Sequence, residues 1–182
     1  MSATKAAWRV LTTLTVGAIA AAGSDFEHFT WWSIAWWALY GMLEELDLGR
    51  TVFWLFMTLQ VLVILGVGIM GQTDCDVFED AFQSLGARNY IVGNFAMHYL
   101  PSLTALGLCD KEHVYCGFDN ATTQIWSAFG VFLIWHHLKD PWDVYGCSLP
   151  HSLGVVGMLI ITCMLTYVAH KLMPTYYSNK LL

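Results

Sequence analysis

The chain has 182 residues, of which 57% are apolar, 15% aromatic and only 12% charged, with 8 Lys and Arg against 14 Asp and Glu for a net charge of −6. A soluble domain carries about 25% charged residues, so this composition excludes disorder and a fibrous repeat. The acidic balance leaves no basic patch to neutralise phosphates, which excludes nucleic acid as a partner. The composition is that of a membrane protein, expected as a single integral membrane domain over residues 1–182.

A spanning helix needs about 20 mostly apolar residues, and six such runs follow one another along the chain. The first is Ala6 to Ala22, interrupted by Arg9 near its start. The second, Phe26 to Leu43, contains Trp31, Trp32, Trp36 and Trp37. The third, Thr51 to Met70, is the most uniformly apolar. The fourth, Tyr90 to Leu108, is broken by Pro101, the fifth is Thr122 to Leu138, and the sixth is Ser152 to Leu172. An apolar medium cannot satisfy a loose backbone, so such runs fold as helices, and the alternation of barrel strands is missing. The expected architecture is an all-α polytopic bundle of six transmembrane helices with short connections.

With six spans, the termini and the second and fourth loops share one side, which holds Lys5, Arg9, Arg50, Lys111, Lys171 and Lys180. The opposite side holds only Arg88 and Lys139, beside Asp25, Glu27, Asp74, Asp76, Glu79, Asp80, Asp140 and Asp143. Basic residues mark the cytosolic or matrix side, so both termini are expected there. The stretch before Asp25 carries Lys5, Arg9 and several hydroxyls but no acid, which suits an organellar import signal as well as orientation. An endomembrane and the mitochondrial inner membrane both remain open. Cys75 and Cys147 fall in outer-side loops and can pair if that side is oxidising. Cys109 and Cys116 lie near each other on the inner side, and no cysteine pattern has metal-ligand spacing. No metal and no cofactor are expected.

Ionisable groups inside a bilayer are costly and mark function. His98 is the one deep in a span, with Asn94 one turn earlier on the same face. Pro101 follows three residues later and frees a carbonyl. At the outer end of the second run Thr30 and Ser33 share a face, and Trp36 and Trp37 lie deeper than an interfacial belt requires. They are candidate pocket linings with Pro101 and Trp142. Trp135-His136-His137 closes the fifth run. A pocket in the outer half would collect Thr30, His98 and His136 or His137. Two chemistries fit it: a hydroxyl nucleophile with a histidine base for acyl transfer, or facing histidines for haem or a metal. His98 and His136 differ in depth by roughly 10 Å at 1.5 Å per residue, which argues against axial haem ligation. The same count separates Thr30 from His98, less severely.

The order of these motifs resembles the androgen-induced, FAR-17a-like family of six-span membrane proteins. Phe29-Thr30-Trp31-Trp32-Ser33 resembles the family's Thr-bearing segment. Asn94-Phe95-Ala96-Met97-His98 with Leu100-Pro101 resembles its Asn-x-x-Met-His block. Trp135-His136-His137, with Trp142 and Val144-Tyr145, resembles its fifth-span signature. The resemblance implies hydrolysis of fatty-acid esters taken from the bilayer, with Thr30 as nucleophile and His98 as base. Asn94, Ser33, His136 and His137 would support them, and membrane lipids would be the partners. Tyr99 follows the histidine where the family usually carries Thr, and Gly146 stands where it continues with Pro. A relative that kept the bundle without the reaction would show such departures. The alternative expectation is therefore a catalytically inactive accessory subunit of a large membrane complex, of the respiratory or ATP-synthase kind, with other subunits as partners.

Overall fold

A computed structural model describes residues 29–44, 48–70, 76–109, 111–139 and 151–180, together with 4, 6–8, 10, 11 and 14. These residues are all-α, with no strand among them. Helix α1 is Phe29–Glu44, and a 3₁₀ turn at Gly49–Thr51 leads into α2, Phe53–Met70. Then come α3 (Asp76–His98), α4 (Leu100–Leu108), the single turn α5 (Lys111–Val114), α6 (Phe118–Leu138) and α7 (His151–Lys180). The described residues of the first run are helical as well.

Two breaks depart from the expected straight spans. The outer-side loop expected between the third and fourth runs is instead helical from Asp76. In that stretch Phe78, Phe82 and Leu85 recur at helical spacing among Asp76, Glu79, Asp80 and Gln83, an amphipathic pattern too polar to register as a span. It turns into the fourth run at Gly86, whose φ of 73° and ψ of 155° are reserved for glycine. The rings of Phe82 and Tyr90 meet across this bend at 5.6 Å. A Cβ at Gly86 would touch nothing within 4 Å, so Gly86→Ala isolates the backbone term. It should destabilise the protein by about 1–3 kcal/mol, read as a lower thermal midpoint in detergent.

The fourth run is two helices, because α3 stops at His98 and α4 begins at Leu100. Pro101 occupies the first turn of α4, where its missing N–H costs no intrahelical bond. The fifth run is longer than expected, since α6 starts at Phe118 behind Gly117 at φ 96°. The sixth extends beyond Leu172 to Lys180.

Helix α2 is central and packs on each of α1 and α3–α7, most extensively on α6. Its fully buried Phe53, Phe56, Leu59 and Leu62 divide between two apolar clusters. In one, Tyr40 stacks on Phe56 at 5.8 Å and meets Phe53 and Trp8 edge-on or tilted. In the other, Phe29 packs between Phe132 at 5.5 Å and Trp135 at 5.0 Å. Aromatic pairs at these distances add about 0.5–1.5 kcal/mol each beyond the area they bury.

The N-terminus of α2 is closed by a side chain from α6. Gln124 Oε1 accepts from the backbone N–H of Trp54 at 2.9 Å and of Leu55 at 3.4 Å. Its Nε2 donates to Arg50 O and Asn120 Oδ1, both at 3.0 Å. The first N–H groups of a helix have no partner of their own, and here a glutamine some seventy residues away supplies one.

The distribution of polarity is inverted. Ser33, Thr58, Gln60, Ser102, Gln124 and Thr162 are buried. Ile91, Val92, Leu103 and Leu106 of α3 and α4 are exposed, as are Ile134 of α6 and Val156, Ile160 and Met164 of α7. One described helix, over Gly154–Met173, is long and apolar enough to cross a membrane, and Phe53–Gly66 is apolar but shorter.

Candidate active site

Thr30 lies in the first turn of α1 as described, and Ser33 three residues on shares its face. Asn94 and His98 occupy the final turn of α3, four residues apart. The two helices meet so that Thr30 Oγ1 and His98 Nε2 are 3.2 Å apart. His98 Nδ1 lies 2.8 Å from Asn94 Oδ1 and 3.0 Å from the Asn94 carbonyl oxygen. A backbone carbonyl only accepts, so Nδ1 carries the ring proton and donates it. The lone pair on Nε2 therefore faces the Thr30 hydroxyl, which donates to it. Thr30 is buried, whereas His98 is only partly so.

The stretch between Gly86 and His98 is an unbroken helix, so the depth count that separated Thr30 from His98 fails elsewhere. It took the two runs to start at one level, whereas α1 and α3 meet with Thr30 and His98 3.2 Å apart.

The other expected site residues are distributed around this pair. Ser33 is fully buried and accepts a short hydrogen bond from Gln60 Nε2. Gln60 Oε1 in turn accepts from Ser102 Oγ at 3.4 Å. Trp37 Nε1 donates to Thr104 Oγ1 at 3.2 Å, and Thr104 Oγ1 donates to the Pro101 carbonyl. Trp37 and Pro101 thus fasten α4 to α1. Trp36 packs partly buried against both apolar clusters.

The fifth-run histidines do not join Thr30 and His98 as expected. His136 packs on Phe132 at 5.7 Å, and His137 lies on the exposed side of α6. Neither makes a hydrogen bond to the pair, because α6 turns its Phe132–Trp135 face towards α1 instead. Trp142, Cys75 and Cys147 lie outside the described residues.

Gln60 is a buried polar residue that none of the sequence motifs includes. It is the one amide in the run Thr51 to Met70, and a lone amide in an otherwise apolar span is itself a signal. A second buried polar pair, Tyr40 Oη and His113 Nδ1 at 3.0 Å, ties α5 to α1. Cys116 and Cys163 are free thiols. Burial pushes the Cys116 thiol above its ordinary range, so it stays protonated at neutral pH and is a poor nucleophile. No group of three or more potential metal ligands occurs among the described residues.

Comparison with protein-family models, with characterised proteins and with solved structures finds no match to this chain. Its chemistry is read from the geometry alone: a buried hydroxyl, a histidine with its free lone pair on that hydroxyl, and an asparagine that holds the ring.

Proposed function

We propose that the chain is a six-span membrane hydrolase that cleaves fatty-acid esters, with Thr30 as nucleophile and His98 as general base. The observation that carries this reading is the directed chain from Asn94 through His98 to Thr30, with hydrogen bonds of 2.8 and 3.2 Å. That is nucleophile, base and orienting group in sequence, the arrangement that activates a hydroxyl for acyl transfer. Thr30 Oγ1 attacks the ester carbonyl while its proton passes to Nε2. The tetrahedral adduct then collapses, the proton goes to the departing alkoxide, and an alcohol leaves with the acyl group on Thr30. Water, deprotonated by the same Nε2, releases the fatty acid and restores the hydroxyl. Asn94 keeps the proton on Nδ1 and so stabilises the imidazolium formed in each half.

The apolar exterior supports a lipid setting. Phe95, Tyr99 and Leu100 flank His98 and are exposed, so an acyl chain can approach laterally without crossing a polar rim. The assay is release of free fatty acid from a long-chain ester in proteoliposomes. Turnover that disappears in Thr30→Ala supports the hydrolase. Turnover unchanged in that variant overturns it, and a folded wild type that is inert favours the accessory-subunit alternative.

The bilayer reading has its own check in Cys163, an exposed thiol on α7 within the Gly154–Met173 segment. In native membranes a charged maleimide should leave Cys163 unmodified, because a charged reagent does not enter the acyl region. It should react once the protein is denatured. Modification at equal rates in both states would remove α7 from the bilayer.

A further inference from the structure

The catalytic pair leaves a second buried chain unused. Ser102 Oγ of α4 donates to Gln60 Oε1 of α2, and Gln60 Nε2 donates to Ser33 Oγ of α1. Ser33 and Gln60 are fully buried and Ser102 nearly so. Burying three polar side chains among apolar helices is expensive, and one interhelical hydrogen bond would suffice as a clamp. The direction of the chain is informative. Because Ser102 occupies the carbonyl end of the amide, the NH₂ end faces Ser33, and Ser33 Oγ is the acceptor in that bond. Its own proton is left to point elsewhere, and no described residue accepts it. One N–H of Gln60 is likewise uncommitted.

Ser33 stands three residues from Thr30, about 4.5 Å along the helix axis and on the same face. An oxyanion donor lies about 2.7–3.1 Å from an oxygen that is two bonds from the nucleophile, hence roughly 3.5–5 Å from the nucleophile itself. One helical turn supplies that spacing. Resting on the hydrolase reading above, we propose that Ser33 is the oxyanion donor of this site and Gln60 the positioning residue that turns its proton toward Thr30. When Thr30 Oγ1 bonds to the carbonyl carbon, the carbonyl π pair moves onto oxygen, and the Ser33 O–H meets that charge. The dipole is fixed before reaction by Gln60 and Ser102, so little reorganisation is needed as charge develops.

The test uses the full-length protein in detergent and an alkyl fluorophosphonate, whose P=O takes the place of the ester carbonyl. Thr30 Oγ1 bonds to phosphorus, fluoride leaves, and the proton goes through His98 to solvent. Labelling is resolved into a maximal rate constant, kinact, and a half-saturating concentration, KI. Ser33→Ala should lower kinact by about 10²–10³-fold with KI within about threefold of wild type. Ser33→Thr, which keeps the hydroxyl, should return to within about tenfold of wild type. Gln60→Met should lower kinact without raising KI, the signature of lost positioning rather than lost binding. A folded Ser33→Ala protein with wild-type kinact would overturn the proposal and make the Ser33–Gln60 bond a helix clamp. So would equal losses in Ser33→Ala and Ser33→Thr, because the hydroxyl would then not be the operative group. A folded wild type in which Thr30 takes no label overturns the hydrolase reading, and this proposal with it.

Discussion

Replacing His98 by alanine should lower ester turnover by about 10³-fold, within the range a positioned general base contributes. His98→Gln should not restore it, since an amide nitrogen cannot cycle a proton. Asn94→Ala should cost far less, about tenfold. The ring proton on Nδ1 is shared between Asn94 Oδ1 at 2.8 Å and the Asn94 carbonyl at 3.0 Å, and the carbonyl survives the substitution. A graded series of Thr30, His98 and Asn94 variants, with initial rates in detergent and matched helical content, checks this. If His98→Ala retains wild-type turnover while folded, the histidine is not the base. If Asn94→Ala is as damaging as His98→Ala, the side-chain amide rather than the carbonyl fixes the ring.

The largest effect on stability is expected at Gln124. Gln124→Leu keeps the volume but strands the buried N–H of Trp54 and the Arg50 carbonyl, which bond the amide at 2.9 and 3.0 Å. Leaving the buried Trp54 N–H unpaired costs about 1–3 kcal/mol, and losing the hydrogen bonds that the amide donates adds about 1. A total of about 2–4 kcal/mol should lower the thermal midpoint by roughly 5–12 °C for a chain of this size. Gln124→Glu keeps an acceptor for Trp54 but gives up both donated bonds, so it should fall between the two. A midpoint unchanged in Gln124→Leu would mean that the start of α2 is held by packing alone.

Much of this arrangement was legible in the sequence. The described parts of the apolar runs are helical, as long apolar segments satisfy their backbone internally. The spacings Thr30–Ser33 and Asn94–His98 fall on single faces because three and four residues are one helical turn. The resemblance to a Thr- and His-bearing family supplied the expectation that these two faces meet, as they do at 3.2 Å.

What was not legible depends on direction and on neighbours. Gly86 looked like any glycine in a loop, and its φ of 73° is a property of the fold. It sets where the fourth run begins, so the level from which 1.5 Å per residue is counted is not given by the sequence. The fifth-run histidines were legible as polar groups at the outer end of that run but not as facing Phe132 and solvent. That orientation is set by the packing of Phe132 and Trp135 on Phe29. Gln60 and Gln124 were hidden for a related reason. An amide in an apolar helix acquires its role from partners 27 and 70 residues distant, and no local pattern names them.

The central claim is that Thr30 carries an activated hydroxyl. The most direct measurement is tandem mass spectrometry of peptides from the purified protein after treatment with an alkyl fluorophosphonate, beside the same treatment of His98→Ala. The account predicts a phosphonyl adduct on Thr30 in the wild type and none in the variant. An unmodified Thr30 in folded wild type, or an adduct formed equally well without His98, would contradict it.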